Sequence, residues 1–284
     1  MSELRLWKYQ ATGNDFVMTL DPDDRQPLGP DEVAALCDRR FGVGADGSIR
    51  VTTDPAGLPF MDYRNADGSL AEMCGNGLRC VATLLRDLGR ADGAIEIGTR
   101  SGVRRAELLD DDRVRVQMGE PNFTKAAIPM RGPAWETFLE QPFDLGGGVT
   151  VVASALSMGN PHLVLFVEDD PARYHVAHIG PVLERDERFP EGTNVEFARV
   201  GDGEVVARVW ERGSGETMAC GSGACAIGVA ANEAGLTDAR TSIRFPGGAL
   251  DVERADDGAV ALTGPASRVF ETSVDIDALL EARP

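Results

Sequence analysis

The chain reads as an α+β protein made of two homologous, pseudo-symmetric halves, each a mostly antiparallel β-sheet or barrel wrapped around one central α-helix. Three observations predict this. Met73-Cys74-Gly75-Asn76-Gly77 and Ala219-Cys220-Gly221-Ser222-Gly223 write one Cys-Gly-x-Gly turn twice, 146 residues apart. The same offset carries Gly13-Asn14 onto Gly159-Asn160, Gly89 onto Gly235 and Gly102 onto Gly248. These are turn and helix-end positions, where backbone geometry is most demanding. Each Cys turn also opens a run of helical period, and short strand-like runs surround it on both sides.

In the first half, residues 17–20 form an apolar run of strand length directly behind the Asn14 motif. Residues 31–40 read as a helix, and 48–52 as a strand beyond a Gly-rich turn. After Cys74, the residues Leu78, Val81, Leu85 and Leu88 recur at helical spacing until Gly89 stops the run. Strand-like segments follow at 94–97, 103–109 and 113–118. The second half answers in the same order. A strand at 163–167 follows Asn160, and an Ala-rich helix with Ala224, Ile227 and Ala231 on one face runs to Gly235. Strands follow at 241–245, 249–253 and 259–262. The implied halves are residues 1–119, completed by 266–284, and residues 120–265, with 121–133 as the crossing and the active site in the cleft between them.

Hydrophobic residues make up 43% and charged residues 26% of 284 positions, ample material for a core. No run approaches the 18 or so apolar residues of a membrane span, and the start has no apolar stretch of signal-peptide length, so a cytoplasmic protein is expected. The net charge of −18 repels nucleic acid and anionic membranes. Lysine occurs only at Lys8 and Lys125, against 26 arginines. That imbalance fits either a solvated acidic shell or adaptation to high salt. The five cysteines form no Cys-x-x-Cys pair, and none of the three histidines stands at zinc-ligand spacing from one, so no metal is expected.

Gly42-Val43-Gly44-Ala45-Asp46-Gly47 spells a dinucleotide fingerprint but follows a helix and precedes a strand. That is the reverse of what pyrophosphate binding needs. Cys37, Cys80 and Cys225 sit inside helix-like runs and read as buried structural thiols. Cys74 and Cys220 read differently. A thiol at a helix N-terminus feels positive partial charge, which draws its pKa from about 8.5 toward roughly 3.5–7.5. Two such thiols in mirrored places suit inversion at an α-carbon, where one base removes the proton and an acid opposite delivers another. The backbone N–H groups of Gly75-Asn76 and Gly221-Ser222 are placed to hold an α-carboxylate and its developing charge. Neither lysine lies in a motif, which argues against a Schiff-base cofactor. Arg212 offers a bidentate grip on a carboxylate and Glu211 a partner for an ammonium group. Under the repeat, Glu211 stands where Asn65 stands in the first half, and Glu216 reads as a surface residue. His162, beside the second Asn motif, reads either as a core histidine or as a group that orients or handles a proton.

Together the segments Gly13-Asn14-Asp15-Phe16, Asn65-Ala66-Asp67-Gly68-Ser69, Cys74-Gly75-Asn76-Gly77-Leu78-Arg79-Cys80, 157–162 and 211–226 resemble the diaminopimelate epimerases over essentially the whole chain. Proline racemases, which share the fold, typically carry His and Thr where Asn76 and Ser222 stand here. The resemblance implies reversible conversion of LL- to meso-diaminopimelate for lysine and peptidoglycan precursors, with no cofactor and no metal. It implies Cys74 and Cys220 as the acid/base pair, with Cys74 taking the proton of the LL isomer and His162 and Glu211 tuning the thiols. It implies substrate contacts from Asn14, Asn65, Gly75, Asn76, Asn160, Asn194, Glu211, Arg212, Gly221 and Ser222. Many members have a substrate-contacting Gln where this chain has Gly47. Some use a Tyr near the C-terminus in dimerisation, where Phe270 keeps the ring without the hydroxyl, so a homodimer fits. The competing readings are another cofactor-free amino-acid racemase of the proline racemase type, a non-catalytic amino-acid-binding protein, and a thiol-disulfide oxidoreductase.

Overall fold

The structure, a computed structural model, describes residues 3–71, 73–145, 147–201 and 203–281. It divides into two compact units, Met1–Val116 with Gly264–Pro284 and Gln117–Thr263. The first unit begins with strands β1 (Glu3–Ala11) and β2 (Asn14–Leu20), helix α1 (Pro30–Cys37), and strands β3 (Gly47–Thr53) and β4 (Pro59–Asn65). Helix α2 (Gly75–Asp87) follows, then strands β5 (Ala94–Thr99), β6 (Gly102–Leu108) and β7 (Arg113–Gly119). The second unit contributes β8 (Phe138–Asp144), β9 (Thr150–Ser157), β10 (Pro161–Phe166), α3 (Val176–Glu184), β11 (Asn194–Val200), β12 (Val205–Glu211) and the short β13 (Gly215–Thr217). It continues through α4 (Gly221–Glu233), β14 (Arg240–Phe245), β15 (Gly248–Arg254) and β16 (Val260–Pro265). The chain then re-enters the first unit as β17 (Ser267–Asp275) and α5 (Ile276–Glu281).

Within each unit the strands pair in one pattern. In the first the order is β17-β1-β2-β3-β4-β5-β6-β7, with β2–β3 and β4–β5 parallel and the rest antiparallel. In the second it is β8-β9-β10-β11-β12-β14-β15-β16, with β10–β11 and β12–β14 parallel in the corresponding places. Four elements of the first unit (β4, α2, β5 and β6) reappear 146 residues later with both ends shifted by that same offset.

The turn glycines explain why the boundaries repeat. Gly89 and Gly235 take φ of +65° and +66° just past the two long helices, a left-handed conformation that ends a helix at little cost only for glycine. Helices α2 and α4 are buried on nearly every side, including all of Gly75–Leu85 in α2. Small residues make that possible. A Cβ on Gly228 of α4 would lie 2.8 Å from Cγ1 of Val252, so the helix rests directly on β15.

Leu4, Leu6, Val17, Val33 and Leu36 form a core in the first unit, closed by Val274, Ile276 and Leu279 from the returning segment. The larger core of the second unit gathers Phe143, Leu163, Leu165, Phe189 and Phe197. Ile128 and Met130 join it from the segment read from sequence as the crossing. Fully burying one such side chain contributes about 1.5–3 kcal/mol. Among the described residues no helix is long and apolar enough to cross a membrane.

Candidate active site

Both singled-out cysteines are helix N-caps. Cys74 has φ −145° and ψ 118°, and its Sγ accepts the N–H of Gly77 at 3.4 Å. Cys220 has φ −123° and ψ 125°, and its Sγ accepts the N–H of Gly223 at the same distance. Each sulfur thus takes the place that a Ser or Asp oxygen usually fills at a helix start. Gly77 and Gly223 let both helix starts pack closely. A Cβ on Gly77 would meet Ile49 at 2.9 Å, and one on Gly223 would meet Glu196 Oε1 at 2.9 Å.

Around Cys74 the chain builds a polar scaffold. The Cys74 thiol donates to Asn14 Oδ1 at 3.8 Å, and Asn76 Nδ2 donates to the same oxygen at 3.2 Å. Asn14 is delivered by the tight Thr12-Gly13 turn joining β1 and β2, where both residues have positive φ. Its Nδ2 donates to Asp46 Oδ2 at 2.8 Å. Asp46 comes from the Gly-rich loop that imitates a dinucleotide fingerprint, and Arg39 grips both Asp46 and Asp15 at 2.7 Å. Lys8, only 7% exposed, pairs with Asp15 at 2.7 Å and donates to the carbonyl of Gly44. Burial works to raise the Asp15 carboxyl, but the bonds from Arg39 and Lys8 outweigh it and hold it at about 2. The loop therefore serves Asn14 rather than a phosphate. Lys8, which lies outside every sequence motif, is part of its foundation.

Beneath Asn76 lies Arg79, a fully buried arginine. Its guanidinium donates to Asn76 Oδ1 at 2.6 Å, Thr12 Oγ1 at 3.3 Å, the Gly75 carbonyl at 3.4 Å and the Pro265 carbonyl at 3.3 Å. Asn65 ends β4, and its Nδ2 donates to Ser69 Oγ at 3.0 Å.

Around Cys220 the scaffold includes a histidine and two carboxylates. Ser222 Oγ lies 3.5 Å from Cys220 Sγ, and Asn160 Nδ2 donates to Ser222 Oγ at 3.4 Å. Asn160 Oδ1 faces His162 Nε2 at 2.9 Å, and His162 Nδ1 meets Glu196 Oε1 at 2.6 Å. His162 and Glu196 are wholly buried. Half-buried Glu211 takes a bond from the Thr217 hydroxyl, and burial pushes its carboxyl up against that bond. Asn194 uses its amide locally, donating to the Pro161 carbonyl at 2.8 Å and accepting the Arg212 N–H at 2.9 Å. It thereby fixes the turn carrying Arg212, whose side chain is exposed and donates to the Glu191 carbonyl at 3.1 Å.

A thiol at a helix start is expected to be acidified, and at Cys220 packing reverses that expectation. Cys220 is only 5% exposed, and burial first, then the charge of Glu211, push its thiol well above the ordinary value. The bonds from Ser222 and Gly223 pull the other way and lose. Cys37, Cys80 and Cys225 are buried thiols, and burial pushes Cys37 up to about 12. Among the described residues no group of three or more His, Cys, Asp or Glu side chains is arranged to hold a metal ion.

The sequence pattern of diaminopimelate epimerase matches residues 6–124 and 154–269. The chain belongs to the diaminopimelate epimerase family. It is 43% identical over 275 residues to the diaminopimelate epimerase of Synechocystis, covering 95% of this chain and 98% of that one. It is 46% identical over 272 residues to that of Desulforudis audaxviator, covering 93% and 96%. A chloroplastic diaminopimelate epimerase of rice is 42% identical over 279 residues, covering 94% and 79%. Among solved structures, a probable proline racemase from Agrobacterium radiobacter superposes with a TM-score of 0.70 at 13% identity, covering 96% and 93%. A PhzF-family phenazine biosynthesis protein from Bacillus anthracis gives 0.68 at 15%, covering 97% and 100%. Both show the shared fold.

Gly47, the departure noted in the family motif, has a steric cause here. A Cβ at this position would lie 2.6 Å from the Arg64 carbonyl oxygen and 2.6 Å from Cε2 of Tyr63. The Tyr63 ring, packed edge-on against Phe16 with centroids 5.7 Å apart, fills the space from which a longer side chain would start. Gly47→Gln is therefore expected to destabilise the protein by about 1–3 kcal/mol, seen as a lower thermal midpoint. An unchanged midpoint would show that β4 yields freely at this point.

Proposed function

We propose that the protein interconverts LL- and meso-diaminopimelate by a two-base transfer between Cys74 and Cys220, without a cofactor or metal. The observation that carries this reading is the repeated N-cap. Each sulfur sits at the start of a buried helix, and the charges of Glu211 and Glu196 act on Cys220. An α-hydrogen beside a carboxylate is a very weak acid, so the thiolate that removes it and the thiol that replaces it must both be in place beforehand. With Cys220 biased to the thiol form, the LL isomer is deprotonated by Cys74 and reprotonated on its other face by Cys220. Negative charge developing on the substrate carboxylate is met by N–H groups at the two helix starts, whose dipoles are fixed before reaction. Arg212 and the asparagines Asn14, Asn65, Asn76, Asn160 and Asn194 hold the substrate or the groups that touch it.

The same reading makes the protein a cytoplasmic enzyme with a small amino-acid substrate and no nucleic-acid or membrane partner. The net charge of −18 supports this. A homodimer is part of the same proposal, and Val269 and Phe270, 56% and 42% exposed on β17, support it.

The test is proton NMR of LL-diaminopimelate with the enzyme in D₂O, without added cofactor, at low salt and in molar KCl. Loss of the α-proton signal as the meso isomer appears is the expected result. Absence of exchange in both salts would refute the assignment.

A further inference from the structure

We propose that Glu196 is a positioning residue, a carboxylate set against the N-terminus of α4 that holds Cys220 in its proton-donating form. The inference rests on Cys220 being one of the two bases. Three observations about Glu196 carry it. It lies on β11 two residues beyond Asn194, with none of its side chain exposed. Its Oε1 and Cys220 Sγ flank the same point, lying 2.9 Å and 3.5 Å from where a Cβ on Gly223 would be. Its Oε2 has no hydrogen-bond partner among the described residues. A buried carboxylate oxygen left bare costs roughly 1–3 kcal/mol or more, so its persistence at a helix start calls for a compensating use.

That use is electrostatic. The positive end of α4 can stabilise one anion well. A thiolate on Cys220 would compete for it with Glu196 at close range. Glu196 Oε1 lies 2.6 Å from His162 Nδ1, so the carboxylate is held between the imidazole on one side and Gly223 on the other. Its negative charge faces the sulfur and disfavours ionisation of the thiol. Glu211, from the end of β12, also faces Cys220 and acts in the same sense. In the first unit the repeat places Arg50 opposite Glu196 and Phe16 opposite His162.

The experiment compares Glu196→Gln with its parent in a Cys74→Ser background, so that Cys220 is the thiol titrated. Thiolate absorbance is followed against pH, and iodoacetamide alkylation of Cys220 is located by peptide mass. Gln keeps the shape and removes the acid. The titration midpoint is expected to fall by about one pH unit, with roughly tenfold faster alkylation at neutral pH. Glu196→Asp, which withdraws the carboxylate by one methylene, is expected to shift the midpoint the same way by less, and it serves if the Gln variant does not fold. A midpoint that stays put or rises in the folded variant overturns the inference. If Cys220→Ala remains an active epimerase, the two-base reading fails instead, and the titration result still reports on Glu196 by itself.

Discussion

Cys220→Ala is expected to keep exchanging the α-proton of LL-diaminopimelate with solvent while losing conversion to the meso isomer, and Cys74→Ala is expected to lose both. The difference follows from the faces the two thiols serve. With Cys220 absent, Cys74 still removes the LL proton, but nothing returns one from the opposite side. The carbanion is reprotonated where it was formed, and deuterium enters without inversion. With Cys74 absent, no base addresses the LL proton. Cys220 addresses only the proton of the inverted centre, and the pressures that push its thiol up keep it protonated near neutrality. Exchange from the meso isomer in Cys74→Ala should therefore be slow at neutral pH and rise with alkalinity. A thiol whose pKa is raised keeps its proton above the ordinary value of about 8.5, so LL-to-meso turnover in the parent enzyme should persist into alkaline solution. Losing one acid/base group typically costs 10²- to 10⁴-fold, and epimerisation should fall by at least about that much in both variants. Time-resolved NMR in D₂O from each pure isomer separates the cases. Wild-type meso formation by Cys220→Ala, or wild-type LL exchange by Cys74→Ala, would rule out the assigned faces.

Much of the architecture was legible because glycines wrote it. Gly89 and Gly235, with φ of +65° and +66°, mark the ends of α2 and α4, and the Cys-Gly-x-Gly turns mark their starts. With ends set by backbone geometry, a constant offset in sequence became a constant offset in structure. The charge of the two sites was less legible. Glu196 alternates with Val195 and Phe197, a pattern that ordinarily places the polar residue in solvent. Both faces of β11 are buried because α4 lies against one and α3 packs on the other. Arg79 stands off the apolar stripe of Leu78, Val81 and Leu85, so its complete burial comes from packing and not from that pattern. Lys8 was hidden by distance, because its partners Asp15 and Gly44 come from β2 and a loop. The sign of the Cys220 shift was hidden for the same reason, since burial and Glu211 are facts of packing and not of the turn itself.

Arg79→Met is expected to be the most damaging change outside the cysteines. Two effects oppose each other. Removing a buried cation relieves its desolvation, and replacing buried charge with an apolar side chain is neutral or stabilising when its partners are replaced too. Here the partners remain. Asn76 Oδ1, Thr12 Oγ1 and the carbonyls of Gly75 and Pro265 were shaped around the guanidinium, and each loses its donor. A buried acceptor left unsatisfied costs about 1–3 kcal/mol, so the loss outweighs the relief and leaves a net destabilisation of roughly 2–4 kcal/mol. At about 2–4 °C per kcal/mol this lowers the thermal midpoint by roughly 4–16 °C. The chemistry should suffer separately. Asn76 Nδ2 and the Cys74 thiol share Asn14 Oδ1, so a loosened Asn76 disturbs the acceptor that the thiol uses. The repeat puts Cys225 where Arg79 stands, so the cation belongs only to the helix that begins at Cys74, while Glu196 and Glu211 surround the other. Alkylation of Cys74 at neutral pH should accordingly slow in Arg79→Met, even at temperatures where the variant is fully folded. Arg79→Lys, which keeps the charge without the planar fork, should recover part of that reactivity and less of the stability. A folded Arg79→Met protein with parental Cys74 reactivity would reduce Arg79 to a packing role, and parental melting would show that these acceptors find water instead.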